Sequence, residues 1–160
     1  YVTDVSDKDL NDVYHLLALL ESDAAAQVAQ FAQPEDIQEL QGLHSQLKQS
    51  VQDRSAFFEI NERFHMRLLE IGNNKWRTQM VIDLRKVMKL NRQNSLLKSG
   101  RLEESLLEHQ ALMDALAARN PGLSLQKMQA HFANGLEAAT PDVVVPVNAP
   151  HQSVLVTAEG

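Results

Sequence analysis

The sequence contains no cysteine and only six glycines, and aromatic residues make up 5% of its 160 positions. The absence of cysteine excludes a disulfide framework and thiolate metal ligands. No apolar run reaches the roughly 18 residues that a transmembrane helix needs. Leucine, alanine, glutamine and glutamate dominate instead, and these residues favour helices over strands.

Basic residues are too few to indicate a nucleic-acid clamp. Lys and Arg number 15 against 21 Asp and Glu, which gives a net charge of −6. A phosphate backbone selects a basic surface, so this balance argues against direct contact with nucleic acid. The 44% of hydrophobic residues is an ordinary globular value and excludes global disorder. Because the sequence begins at Tyr1 without a leader, we expect either a processed protein or a fragment of a longer one.

Apolar residues recur every three or four positions in six segments, which is the period of an amphipathic helix. Turn residues such as Pro34, Gly72-Asn73, Gly100 and Asn120-Pro121-Gly122 separate the segments. We predict an all-α antiparallel bundle of about six helices joined by short loops. The predicted helices begin after Asp7 or Asp9, at Pro34, after Asp53, after Asn73 or Asn74, near Leu102 and near Ser124.

The chain divides into three predicted parts. Residues 1–7 are the end of a linker, residues 8–139 form the helical domain, and residues 140–160 form an extended arm. The arm is predicted because three prolines, Pro141, Pro146 and Pro150, punctuate valine-rich runs there. Proline excludes a helix, and valine favours extended chain.

Three of the six histidines lie beside the apolar stripes of three different helices: His65, His109 and His131. Bundle interiors build metal sites from side chains on facing helices, so these imidazoles could converge on Zn, Ni, Co or Mn. Asn61, one turn before His65, could add a weak carbonyl oxygen. The competing interpretation is that each histidine is a hydrogen-bonded core residue with no ligand role.

Three separated motifs carry a family resemblance. They are NERFHMRLLEIGN at residues 61–73, RLEESLLEHQALMDAL at 101–116, and MQAH at 128–131. In this order on an all-α chain, they resemble the signatures of the FCD domain, the C-terminal ligand-sensing domain of FadR-type GntR transcription regulators. The resemblance extends from about Ser6 to Ala139.

The resemblance implies a divalent metal held by an Asp and three His, with a small organic acid bound beside it. His65, His109 and His131 match the three His, whereas Asn61 stands where the Asp usually is. A neutral amide attracts a dication less than a carboxylate does. The resemblance therefore leaves three outcomes open: weaker metal binding, a different metal, or a water in its place.

A second departure concerns the effector. Many members carry R-x-x-x-E in the first helix, and here those positions are Leu17 and Glu21. Arg85 and Arg92, seven residues apart on the fourth helix, are the candidate carboxylate ligands in its place, because a guanidinium donates two parallel hydrogen bonds. The alternative interpretation is that both arginines are solvated charges on the surface. Trp76, Met80 and Met88 on the same helix are expected to pack in the core.

The resemblance predicts the effector-binding and dimerisation domain of a cytoplasmic, non-enzymatic regulator. The expected partners are a second copy, a small organic acid, and DNA through a winged helix-turn-helix that these residues do not contain; no membrane is expected. One alternative is a three-His metalloenzyme, which would need a general base. Glu62 adjoins Asn61 and Glu108 adjoins His109 in sequence, so both are expected on other helix faces. The other alternative is a structural helical interaction domain.

Overall fold

The computed structural model describes residues 5–140, and for residues 90–97 it describes the backbone alone. This part of the chain folds into six α-helices joined by two to four residues, which confirms the all-α prediction. None of these helices combines the length and the hydrophobicity of a membrane span. The predicted arm from residue 141 onward lies outside the described residues. The helices are α1 (Asp7–Phe31), α2 (Pro34–Gln49), α3 (Arg54–Ile71), α4 (Lys75–Leu97), α5 (Arg101–Ala117) and α6 (Pro121–Ala139).

Side-chain caps define the starts of several helices. Asp53 accepts a hydrogen bond from the backbone N–H of Ala56, as predicted, and Asn74 caps α4 in the same way. The prediction that Asp7 or Asp9 caps α1 is wrong, because the Oγ of Ser6 accepts from the N–H of Asp9. The two acids lie in the first turn instead, where they face the positive end of the helix dipole.

Helix α1 is central to the bundle. It packs most extensively against α6 and also contacts α3, α4 and α5. Its apolar stripe is buried at Leu17, Ala24 and Val28, which confirms the inward face read from the sequence. The largest buried side chains around it come from every helix, and include Leu40, Phe64, Leu68, Met88, Leu116 and Met128.

The orientation of α4 differs from the prediction. Trp76 is 73% exposed and Met80 is 53% exposed, so these two residues do not pack in the core, although Met88 does. The buried face of α4 lies one residue further along the helix than Trp76 and Met80, and it includes two arginines, Arg77 and Arg85. Both are paired with acids of α1, and this pairing is what makes burying a guanidinium tolerable.

Candidate metal centre

His65, His109 and His131 converge in the interior of the bundle. Helices α3, α5 and α6 each contribute one, and all three side chains are buried. Ring centroids lie 5.2 Å apart for His65–His109 and for His65–His131, and 4.8 Å apart for His109–His131. One ring nitrogen from each histidine lies within 4.8 Å of the others. Ligands about 2.1 Å from a shared ion lie at most about 4 Å apart, so the cluster needs little closure to hold one.

Aromatic side chains line the histidine cluster. The ring of Phe64 lies 4.9 Å from that of His109, edge to face. The ring of Phe132 lies 5.9 Å from His65 and 5.7 Å from His131. Apolar walls keep water from competing with a bound ion and limit the rotation of the imidazoles.

Glu21 of α1 fixes the orientation of His65. Its Oε1 lies 2.8 Å from Nδ1 of His65, and its carboxylate also receives three hydrogen bonds of 2.8 to 3.1 Å from Arg85. Burial alone would raise the pKa of Glu21, but Arg85 and His65 outweigh it and lower the pKa to about 2. An ionised Glu21 assigns the proton to Nδ1, which leaves the Nε2 lone pair of His65 available. That Nε2 is buried and has no hydrogen-bond partner among the residues described.

Glu108 of α5 holds His131 of α6 in the same manner. Its Oε1 lies 2.7 Å from Nδ1 of His131, and Arg101 donates to both of its oxygens, at 2.7 and 2.9 Å. Asn134 adds a bond of 3.2 Å. Burial would raise the pKa of Glu108, but His131 and Arg101 lower it to about 2. We expected Glu108 to face away from the cluster. That expectation is wrong, because His131 of α6 packs on the side of α5 that carries Glu108.

His65 and His131 are held in their neutral form. Burial, followed by the nearby charge of Arg85, lowers the pKa of His65. Burial is also the main reason that the pKa of His131 falls to about 4, although Glu108 opposes the change. Neutral imidazole is the form that binds metals, so near pH 7 no proton has to leave before these rings can act as ligands.

Asn61 completes the candidate donor set. It lies on α3 one turn before His65, is buried, and has an Oδ1 without a hydrogen-bond partner in residues 5–140. An orphaned buried carbonyl oxygen is costly, and a bound ion or water would satisfy it. Three imidazoles with carboxylate support and one amide oxygen fit a borderline transition metal such as Zn, Ni or Co.

The structure places Arg85 in the interior rather than on the surface. Besides its bonds to Glu21, it donates to Oε1 of Glu62 at 2.8 Å, so the alternative of a solvated surface charge is wrong for this residue. Its assignment to an effector carboxylate stays a prediction. The side chain of Arg92 lies outside the described residues.

Sequence reasoning missed the pairing of Glu21 with His65. One signal was available: Glu21 follows Leu17 by four residues and therefore lies on the apolar stripe of α1. An acid at such a position predicts a buried partner, but not which one.

Comparison with known proteins supports the fold and the motifs. The family model of the FCD domain matches residues 12–134. The solved structure of Escherichia coli McbR/YncC is similar, with a TM-score of 0.77, 20% identity, and coverage of 86% of this chain and 71% of that chain. A second similar structure is that of Lar, described as controlling the expression of the Listeria monocytogenes agr system and mediating virulence; its TM-score is 0.72 at 16% identity, covering 84% of this chain and 65% of that chain. No curated protein matches by sequence.

Proposed function

This chain belongs to the FCD domain family, and from that membership we propose that it is the effector-sensing and dimerisation domain of a GntR-type transcription regulator. A small organic acid binds beside a divalent metal at His65, His109 and His131. Binding changes the affinity of the regulator for its operator. The domain has no catalytic role, and the regulator acts in the cytoplasm.

The observation that carries the proposal is the buried histidine cluster, in which two potential metal-ligand atoms have no hydrogen-bond partner. Neither Nε2 of His65 nor Oδ1 of Asn61 has a hydrogen-bond partner in the described part of the chain. A metal held there would act as a Lewis acid that attracts a carboxylate. Three imidazoles and one amide are all neutral ligands, so no charge among the metal ligands repels an anionic effector.

The exposed apolar residues of α1 and α4 support the proposal of a homodimer. These helices pack against each other, and each leaves large apolar side chains in contact with solvent: Leu16 and Leu19 on α1, and Trp76, Met80 and Val87 on α4. We call these five residues the α1/α4 apolar surface. Exposed tryptophan and methionine are typical of the core of a protein interface.

The Glu21–Arg85 pair connects the histidine cluster to the α1/α4 apolar surface. Glu21 contacts His65 and belongs to α1, whereas Arg85 belongs to α4. A ligand that shifts His65 therefore acts on the packing of the two helices that carry the interface. Reorienting the subunits would change the spacing of two winged helix-turn-helix domains, which are not among these 160 residues, and hence operator affinity.

Metal analysis combined with a thermal-shift screen tests this function. The purified chain is treated with chelator, reloaded with Zn²⁺, Ni²⁺ or Mn²⁺, and melted with a set of small organic acids. We expect a metal to raise the melting temperature and an acid to raise it further in the loaded protein only. The variant His109→Ala should lose both effects, while His15→Ala, at an exposed position of α1, should keep them. A metal-free protein that responds equally to the acids would contradict the proposal.

A further inference from the structure

Two hydrogen-bonded networks support two of the three histidines, and the residue types follow the same order in both. The Arg85 network runs from Glu62 through Arg85 and Glu21 to His65. The Arg101 network runs from Glu104 through Arg101 and Glu108 to His131. In each network one guanidinium lies between two carboxylates, and the inner carboxylate contacts the imidazole.

Each network places a carboxylate directly behind one imidazole of the cluster. The carboxylate of Glu21 lies 2.8 Å from Nδ1 of His65, and that of Glu108 lies 2.7 Å from Nδ1 of His131. Two carboxylates therefore support the cluster, one behind His65 and one behind His131. Asn61, at the position where the family resemblance implies a carboxylate ligand, brings none.

We propose that Glu21 and Glu108 are positioning residues. Through His65 and His131 they supply the negative charge that an aspartate at position 61 would bring to the metal and that Asn61 lacks. The inference rests on the proposed metal site and deepens it. A carboxylate on Nδ1 makes an imidazole a stronger donor at Nε2, and removing such a partner costs about 10- to 100-fold in metal affinity. The charge lies outside the ligand set, so an effector carboxylate meets a metal whose own ligands are all neutral.

The two networks differ in their outer carboxylates. The side chain of Glu62 is 29% exposed and lies 2.8 Å from Arg85, whereas that of Glu104 is 68% exposed and lies 3.5 Å from Arg101. Water screens the charge of an exposed carboxylate more strongly. Glu62 should therefore contribute more to metal affinity than Glu104, and this contrast provides a matched pair of variants.

The test is a Zn²⁺ titration by calorimetry, with a competing chelator, on the intact chain. We expect Glu21→Gln and Glu108→Gln each to weaken Zn²⁺ binding by about tenfold or more. Glu62→Gln should weaken it by less, and Glu104→Gln least of all. Glu39→Gln, which removes an exposed partner of Arg67, is the control and should bind like the wild type.

A rescue experiment separates charge from structural damage. Adding Asn61→Asp to Glu108→Gln should restore most of the lost affinity, because the new carboxylate replaces the missing charge beside the ion. The gain from Asn61→Asp should be larger in Glu108→Gln than in the wild type, whereas a purely structural role for Glu108 predicts the same gain in both. If Glu21→Gln does not fold by circular dichroism, Glu108→Gln and its rescue decide the question.

Unchanged Zn²⁺ affinity in folded Glu108→Gln would overturn the inference and leave the metal site standing. Failure of Asn61→Asp to rescue Glu108→Gln would overturn it as well. A wild-type chain that takes up no Zn²⁺ would overturn the metal site together with the inference. The effector and DNA-binding parts of the proposed function are not measured in this experiment, so their failure would be seen separately.

Discussion

Lowering the pH from 7 to 5 should destabilise the metal-free domain, and His131 should account for much of the loss. The pKa of this residue falls from its ordinary value of 6.5 to about 4 in the folded protein, chiefly because the ring is buried. Between these two values the unfolded chain binds a proton that the folded chain does not. The free energy of unfolding therefore falls as the pH falls through this window.

The size of the effect follows from the two pKa values. At pH 5 the unfolded imidazole is almost fully protonated and the folded one is mostly neutral, which costs about 2 kcal/mol relative to pH 7. His65 should add to the loss, because its pKa is lowered in the same direction. The low pKa values of Glu21 and Glu108 act in a more acidic window. The stability that they contribute is lost as the pH falls from about 4.5 towards 2.

Urea denaturation of chelator-treated protein at pH 7 and pH 5, at fixed salt and protein concentration, measures this effect. His131→Gln removes the titrating ring and should reduce the difference between the two pH values by about 2 kcal/mol. His15→Gln replaces an exposed histidine and should keep the wild-type difference. Equal stability of the wild type at both pH values, or an unchanged difference in His131→Gln, would refute the reasoning.

Two further predictions concern packing and assembly. Gly72→Ala should destabilise the domain by about 1–2 kcal/mol in urea denaturation, because a new Cβ would lie 2.6 Å from the guanidinium of Arg77 and displace its hydrogen bonds. Gly42→Ala is the control: no atom lies within 4 Å of its added Cβ, so it should stabilise α2 by about 0.5–1 kcal/mol. Trp76→Glu and Met80→Glu should each shift the protein from dimer to monomer in sedimentation with little change in helix content, since both side chains are exposed in the isolated chain. A wild type that sediments as a monomer, or variants that remain dimeric, would contradict the assignment of the α1/α4 apolar surface.

The helices and the histidine cluster could be predicted because their signals are local. Periodicity, Pro34, Asp53 and the Gly72-Asn73 pair set most helix boundaries to within a few residues. Convergence of three histidines required only that each lies beside the apolar stripe of its helix. The cap of α1 was harder, because Ser6, Asp7 and Asp9 are all good N-cap residues and the backbone chooses among them.

Which side of α4 is buried could not be predicted from the residues of α4 alone. The helix has two apolar stripes, one containing Trp76 and Met80 and one containing Val81 and Met88. Arginine usually lies at the surface, so Arg85 argues locally against burial of the second stripe. The acids that overturn this preference lie in α1, about 60 residues earlier, and sequence periodicity carries no information about pairs so far apart.

The packing of α1 against α6 has a consequence for biosynthesis. About 90 residues separate the end of α1 from the start of α6, yet these helices form the most extensive contact of the bundle. At a translation rate of about 5–20 residues per second, α1 leaves the ribosome about 5–20 s before its main partner is made. During that interval its apolar stripe is covered only by the helices already synthesised. The contacts of α1 with α3 and α4 do not have to wait for α6, so they are the first long-range packing available to α1 as the chain is made.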